Sequence, residues 1–299
     1  IFFLIIFLAF VIRSFAMPKE REFLTRIFVF GVIFRIVLTL VIKFMLISRG
    51  KWMYFAEGAK APVLFGDDGF NSIVSWWIAQ YVSGQPLSDY LSLVVSSPIG
   101  EYGRNGYLYV IALFYYIFGY SPVSVVFLNC IISALTGVVY YYIAKRVASV
   151  KAAKITAFFV TFFPSLILWS CTNLKEPLFI FNTGVILWLF LLLLEKIKIK
   201  YLILLILVLI LQYSLRTWTI KPMLIIFFIS YLLKNIRIKM WHFLLGAVVL
   251  FGFCAIFKGK ILEMKGALVD YHIGVFFTGG STYKIYDNWV YQKMMPTAM

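Results

Sequence analysis

The chain has 299 residues, of which 63% are hydrophobic and only 13% charged. Soluble domains hold roughly 45–50% apolar residues and about a quarter charged, so an ordinary water-soluble enzyme is excluded. With a mean hydropathy of +0.95 the chain belongs in a bilayer, and its net charge of +16 points to lipid headgroups and phosphates rather than nucleic acid.

Ile1 to Ile12 is an apolar run too short to cross a membrane, and it reads as a truncated upstream helix. No basic region precedes it, which argues against a cleaved signal peptide. The first full span is Ile27 to Ile47. A long segment, Ser48 to Pro122, follows. In it Phe70, Ile73, Val74, Trp77, Ile78 and Tyr81 recur at the spacing of one helical face, opposite Asn71, Ser72, Ser75 and Gln80, which predicts a helix lying in the membrane interface. Tyr107 to Phe118 is apolar all round but reaches only about 18 Å. Gly119 and Pro122 stop it, so it packs beside the bundle without crossing. Its surroundings, Tyr102 to Tyr116, read as an aromatic interface belt.

Further apolar windows occur at Val123 to Ala144, Ile155 to Cys171, Leu178 to Leu194, Tyr201 to Leu215, Pro222 to Leu233 and Trp241 to Phe257. The predicted fold is an all-α polytopic membrane protein with about seven transmembrane helices, a seven-helix domain over 27–257, an outer loop over 48–122, and a truncated extracytoplasmic tail over 258–299. Orientation follows from the Lys and Arg clusters before the first span, between the second and third, the fourth and fifth, and the sixth and seventh. The positive-inside rule puts these in the cytoplasm. Ser48 to Pro122 and the turns Thr172 to Pro177 and Arg216 to Lys221 then face outward, and chemistry is expected there.

Cys130, Cys171 and Cys254 fall in or beside apolar runs and read as packing residues. There is no phosphate loop, dinucleotide fingerprint or Gly-x-Ser-x-Gly elbow, and His242 and His272 lack a second ligand at metal spacing. An enzyme of this build draws its activated substrate from the bilayer.

The polar residues at the outer ends carry the chemistry. Asp67 and Asp68 precede the interfacial helix. Either Asp68 caps that helix while Asp67 is solvated, or one carboxylate is a general base; joint coordination of a divalent metal is a third option. Glu176 sits in the turn Asn173-Leu174-Lys175-Glu176-Pro177. It is a site carboxylate, or it pairs locally with Lys175 at a proline-started helix. Arg216 and Lys221 bound a recessed turn at the depth of a lipid phosphate, which a guanidinium can grip with two N–H groups; ordinary snorkelling is the alternative. Arg35, in mid-span, either snorkels or pairs with a buried acid. Glu101 and Arg104 are weaker candidates ahead of the Tyr107 helix.

The order of Asp67-Asp68, Gly106-Tyr107-Leu108-Tyr109, Phe118-Gly119-Tyr120-Ser121-Pro122, Ala144-Lys145-Arg146, Phe163-Pro164-Ser165 and Leu174-Lys175-Glu176-Pro177 resembles the C-superfamily membrane glycosyltransferases. The nearest branch holds protein mannosyltransferases, lipid A aminoarabinose transferases and bacterial polysaccharide enzymes. The resemblance implies an inverting sugar transfer from a polyprenyl-phosphate carrier to a glycan, lipid or protein acceptor at the outer face of the cell membrane. It implies that the acidic pair, matched by Asp67 and Asp68, supplies the base. Glu176 matches the family's second-loop acid and Arg216 its phosphate-binding cation, with Lys221 or Arg104 assisting. Asp-Asp stands where the family often has Asp-Glu, and which Asp is the base stays open. Competing readings are a surface-polysaccharide polymerase or ligase and, from another class, a flippase or transporter. The transporter is disfavoured because only Arg35 is deep while the other polar candidates gather on one face.

Overall fold

Proline sets the helix starts. Pro18, Pro122, Pro164 and Pro177 each stand in the first turn of a helix, where the missing N–H costs nothing. The computed structural model describes residues 2–48, 52–54, 60–62, 66–85 and 105–233. The chain divides into two units, Ile1–Tyr231 and Leu232–Met299, and the helices that build the site belong to the first.

Helix α1 (Phe2–Phe15) leads into α2 (Pro18–Ser48). A short antiparallel ribbon of β1 (Trp52–Tyr54) and β2 (Lys60–Pro62) pairs Met53 with Ala61, an element the hydropathy pattern does not announce. Then come α3 (Gly66–Val82), α4 (Asn105–Phe118), α5 (Pro122–Val147), α6 (Val150–Phe162), α7 (Pro164–Ser170), α8 (Glu176–Glu195), α9 (Ile199–Leu215) and α10 (Ile220–Leu233).

Among the described residues, three helices (α2, α5 and α8) are long and apolar enough to cross a membrane, or four if α6 and α7 form one span bent by 49°. The window Ile155 to Cys171 is therefore not a straight helix. The break falls at Phe163, whose extended backbone (φ −67, ψ 122) is what a following proline imposes. Helices α9 and α10 stand where the fifth and sixth spans are expected, with 17 and 14 residues; Trp241 to Phe257 lies outside the described residues. Helix α4 ends at Gly119, whose φ of +78 suits a residue without Cβ and whose N–H donates to Tyr115 O at 2.8 Å.

Two ends of the bundle are distinct. At one, Glu20 of α2 holds Lys145 of α5 at 2.7 Å and Arg146 holds Glu195 of α8 at 2.8 Å. The start of α2 and the ends of α5 and α8 thus share one end, along with many of the basic residues. The opposite end carries the C-terminal part of α2, α3, the turn 172–175 and the end of α9. Between them Asn182 of α8 donates to Gln212 Oε1 of α9 at 2.7 Å, and Gln212 Nε2 to Thr183 Oγ1 at 3.0 Å, polar clamps of the kind that join helices in lipid.

Arg35 behaves differently from both sequence expectations. It neither snorkels nor meets an acid: fully buried, it donates to Gly31 O (3.0 Å), Ser133 Oγ (3.2 Å) and Thr161 O (2.5 Å), tying α2 to α5 and α6. The carbonyl of Thr161 lies where Pro164 and the α6–α7 bend interrupt the helix ladder, so a cation can be satisfied there without a counter-ion.

Helix α3 forms where the periodicity predicts it, over Gly66–Val82. Its polar face does not meet water, because Asn71, Ser72 and Ser75 are as buried as Ile73, Val74 and Ile78. The apolar side packs on Tyr107, Leu108, Ile111 and Tyr115 of α4, and the polar side meets a turn whose backbone needs partners.

Candidate active site

That turn, residues 171–175, is the organising element. Asn129 reaches it from α5, its Nδ2 lying 3.0 Å from both Thr172 O and Leu174 O and 2.9 Å from Tyr107 OH. Tyr107 donates in turn to Asn173 Oδ1 at 2.8 Å. Burial pushes the Tyr107 phenol well up, so it remains a neutral donor. On the other side Asn173 Nδ2 donates to Ser72 Oγ at 2.8 Å, and Asn71 Nδ2 to Asn173 O at 2.8 Å. Three helices and one turn are thereby closed into a buried polar network, in which each filled partner spares a desolvation cost of about 1–3 kcal/mol.

Asp68 is held by this network. Only 2% exposed, its Oδ1 accepts from the Asn173 backbone N–H at 2.9 Å, and its Oδ2 lies 3.5 Å from Lys43 Nζ. It does not cap its own helix, since α3 begins at Gly66 and both aspartates stand in its first turn. Asp67 is half-buried beside it. Sequence alone does not single out Lys43, because one lysine near the end of an apolar run reads as snorkelling.

Farther along the turn, Glu176 Oε1 accepts from Arg216 Nη2 at 2.8 Å. The partner of Glu176 is thus Arg216, across from α9. The guanidinium lies over the Phe179 ring at 4.8 Å and near Trp218 at 6.0 Å, and planar stacking of this kind fixes its orientation. Lys175 is half-buried in the same turn, and Lys221 is exposed on the first turn of α10. Glu101 and Arg104 lie outside the described residues. Arg35 is part of the helix packing described above and is not brought to Asp68.

For a metal, the described residues offer little: no cluster of three or more His, Cys, Asp or Glu forms among them, and Lys43 already supplies positive charge at Asp68. Cys130 and Cys171 are buried free thiols flanking Asn129 and Thr172, in keeping with packing roles.

Asp68 of α3 is held by the Asn173 backbone and Arg216, at the end of α9, by Glu176, so one stretch of chain, 173–176, contacts both an acid and a cation at one end of an apolar bundle. The sequence pattern of the dolichyl-phosphate-mannose-protein mannosyltransferase family matches residues 106–258, slightly more than half of the chain, and the chain belongs to that family. It is a multi-pass membrane glycosyltransferase that uses a lipid-phosphate sugar donor. The matched segment contains Tyr107, Asn129, Asn173, Glu176 and Arg216, and Asp67 and Asp68 precede it. No match was found among curated proteins or among solved structures.

Proposed function

We propose that the enzyme transfers its sugar with inversion, from a polyprenyl phosphate to an acceptor hydroxyl, at the extracytoplasmic end of the bundle. The observation that carries this reading is the turn 172–176, which touches Asp68 through Asn173 and Arg216 through Glu176. Base and phosphate cation are then tied to one short stretch of chain.

In this mechanism the Asp68 carboxylate takes the proton of the acceptor hydroxyl as the acceptor oxygen bonds to the anomeric carbon. The bond from that carbon to the phosphate oxygen breaks on the opposite face, and its electron pair leaves with the prenyl phosphate. Asp67 stands by as second carboxylate. A guanidinium carries five N–H donors. Glu176 engages Nη2 of Arg216 and aims the rest, which offset the charge growing on the phosphate; donors fixed in place beforehand often contribute more to catalysis than any other single effect. Lys175 and Lys221 add positive potential at the same end of the bundle.

Orientation is supported by the end opposite Asp68, where Lys145 and Arg146 meet Glu20 and Glu195, because short cytoplasmic connections collect basic residues. A seven-span count, with α9, α10 and residues 241–257 as the last three, completes the reading. Single cysteines at the exposed positions Gln85 and Ser149 test it: an impermeant maleimide added outside intact cells should label residue 85 and spare 149. The reverse pattern would move the site to the cytoplasm and end the proposal.

A further inference from the structure

The inward stripe of α3 carries more hydrogen-bonding capacity than the surrounding protein consumes. Asp68, Asn71, Ser72 and Ser75 fall at i, i+3, i+4 and i+7 on one helical face, and all four are buried. Asp68, Ser72 and the Asn71 amide nitrogen are taken up by the Asn173 turn and Lys43. Asn71 Oδ1 and Ser75 Oγ are not, and neither are the Tyr115 and Tyr120 hydroxyls. Those are four of the eight buried side-chain polar atoms without a partner among the described residues.

The two tyrosines share one neighbourhood with Trp76, the residue that follows Ser75 on α3. The Tyr115 and Tyr120 ring centroids are 5.3 Å apart, and Trp76 lies 5.3 Å from Tyr120 and 6.3 Å from Tyr115. Burial pushes both phenols up; Tyr120 and the Asp68 carboxylate add to the Tyr115 shift against a weak hydrogen bond with Ser72, and Asp68 adds to that of Tyr120. Each unpaired buried group costs about 1–3 kcal/mol, so packing alone does not account for four of them beside an aromatic wall and the carboxylate assigned as base.

We infer that this α3–α4 wall is a subsite for a hydroxyl-rich ring, a sugar of the substrate. Asn71 Oδ1 accepts from a ligand hydroxyl; the Ser75, Tyr115 and Tyr120 hydroxyls each donate to or accept from others. The Trp76 and Tyr120 rings meet its C–H face. The inference rests on the proposed role of Asp68 and deepens it by placing the sugar. That sugar belongs either to the lipid-phosphate donor or to a glycan acceptor, since both offer the same chemistry.

The test uses the full chain in lipid nanodiscs. Two probes, a short-chain mannosyl phosphoprenol and the same prenyl phosphate without sugar, are titrated against wild type and Ser75→Ala, Tyr115→Phe and Tyr120→Phe variants. The Ser75→Ala and Tyr120→Phe variants should keep the wild-type Tm, because their hydroxyls have no partner among the described residues; Tyr115→Phe, whose hydroxyl also faces Ser72, should stay close to it. Their preference for the mannosyl lipid over the bare phosphate should fall about three- to tenfold, one hydrogen bond's worth, with binding of the bare phosphate unchanged. An unchanged preference, with a similar rise in KM for methyl α-mannoside as acceptor, would assign the subsite to the acceptor sugar and sustain the inference. Wild-type preference and wild-type KM in all three variants would overturn it, as would a fall in Tm in all three, which would make the hydroxyls part of the fold. Failure of the underlying reading looks different: Asp68→Asn would transfer sugar at the wild-type rate.

Discussion

The backbone N–H of Asn173 meets Asp68 Oδ1 at 2.9 Å, joining residues 105 positions apart in sequence. The bond makes the carboxylate of α3 depend on the turn that begins α8. Since Glu176 stands three residues on and holds Arg216, a shift of the turn would move both ends of the proposed site together.

Asn129 should therefore matter to both stability and rate. Asn129→Ala deprives Thr172 O and Leu174 O of their donor inside the protein. At about 1–3 kcal/mol for each buried group left unpaired, Tm in detergent should fall by several degrees and sugar transfer should fall with it. A Tm equal to wild type would mean the turn is held by something else.

Lys43 and Asp68 form a buried pair, with side chains 8% and 3% exposed. Removing one member of such a pair costs about 3–5 kcal/mol. Lys43→Met should thus lower Tm more than Asp68→Asn, which leaves a neutral amide facing the lysine, and the double change Lys43→Met with Asp68→Asn should recover part of the loss. Thermal unfolding of the three proteins decides it. Additive losses would show that the 3.5 Å contact contributes nothing.

Arg216→Lys keeps the charge and gives up the planar fork that stacks on Phe179. Charge-assisted hydrogen bonds are worth about 1.5–3 kcal/mol, so the KM for a mannosyl phosphoprenol should rise at least about tenfold. Glu176→Gln loosens the same guanidinium without removing it and should have the smaller effect. Equal kinetics in Arg216→Lys and wild type would take the phosphate away from this residue.

Gly106 lets α4 approach α9: a Cβ there would stand 2.5 Å from Ser214 Cβ and 2.9 Å from the Ser214 backbone oxygen. Rotating the serine side chain cannot relieve the second contact. Gly106→Ala should cost about 1–3 kcal/mol, as overpacking does, and would displace Tyr107 next to it. A Tm equal to wild type would mean the helices separate without penalty.

Much of this architecture can be read from the order of residues. The apolar windows give most of the helices, although Pro164 breaks the window Ile155 to Cys171 in two, and Gly119 ends α4 where expected. Lys145 and Arg146, one of the basic clusters, meet Glu20 and Glu195 at the end of the bundle away from Asp68. The family itself is legible from the order of the motifs. What escapes is the network that holds Asp68. Asn173 looks like a solvated turn residue and Ser72 like the wet side of an amphipathic helix, because periodicity records which face is polar and not what the face touches. Asn129 does carry a signal: an amide inside the apolar run Val123 to Ala144 is expensive unless every group is paired, and pairing the turn carbonyls is what it does. Lys43 and Arg35 show the same limit from the other side. Each is a cation in an apolar helix, yet one meets a carboxylate and the other only carbonyls and a hydroxyl, a difference set by packing between helices.

The most direct measurement is sugar transfer from a mannosyl phosphoprenol by membranes carrying Asp68→Asn or Asp67→Asn, with binding of the donor measured in parallel. A general base contributes about 10²–10⁴ in rate, so Asp68→Asn should lose at least about a hundredfold in kcat while still binding the donor, and Asp67→Asn should lose less. Wild-type turnover in Asp68→Asn, or a loss confined to Asp67→Asn, would contradict the account.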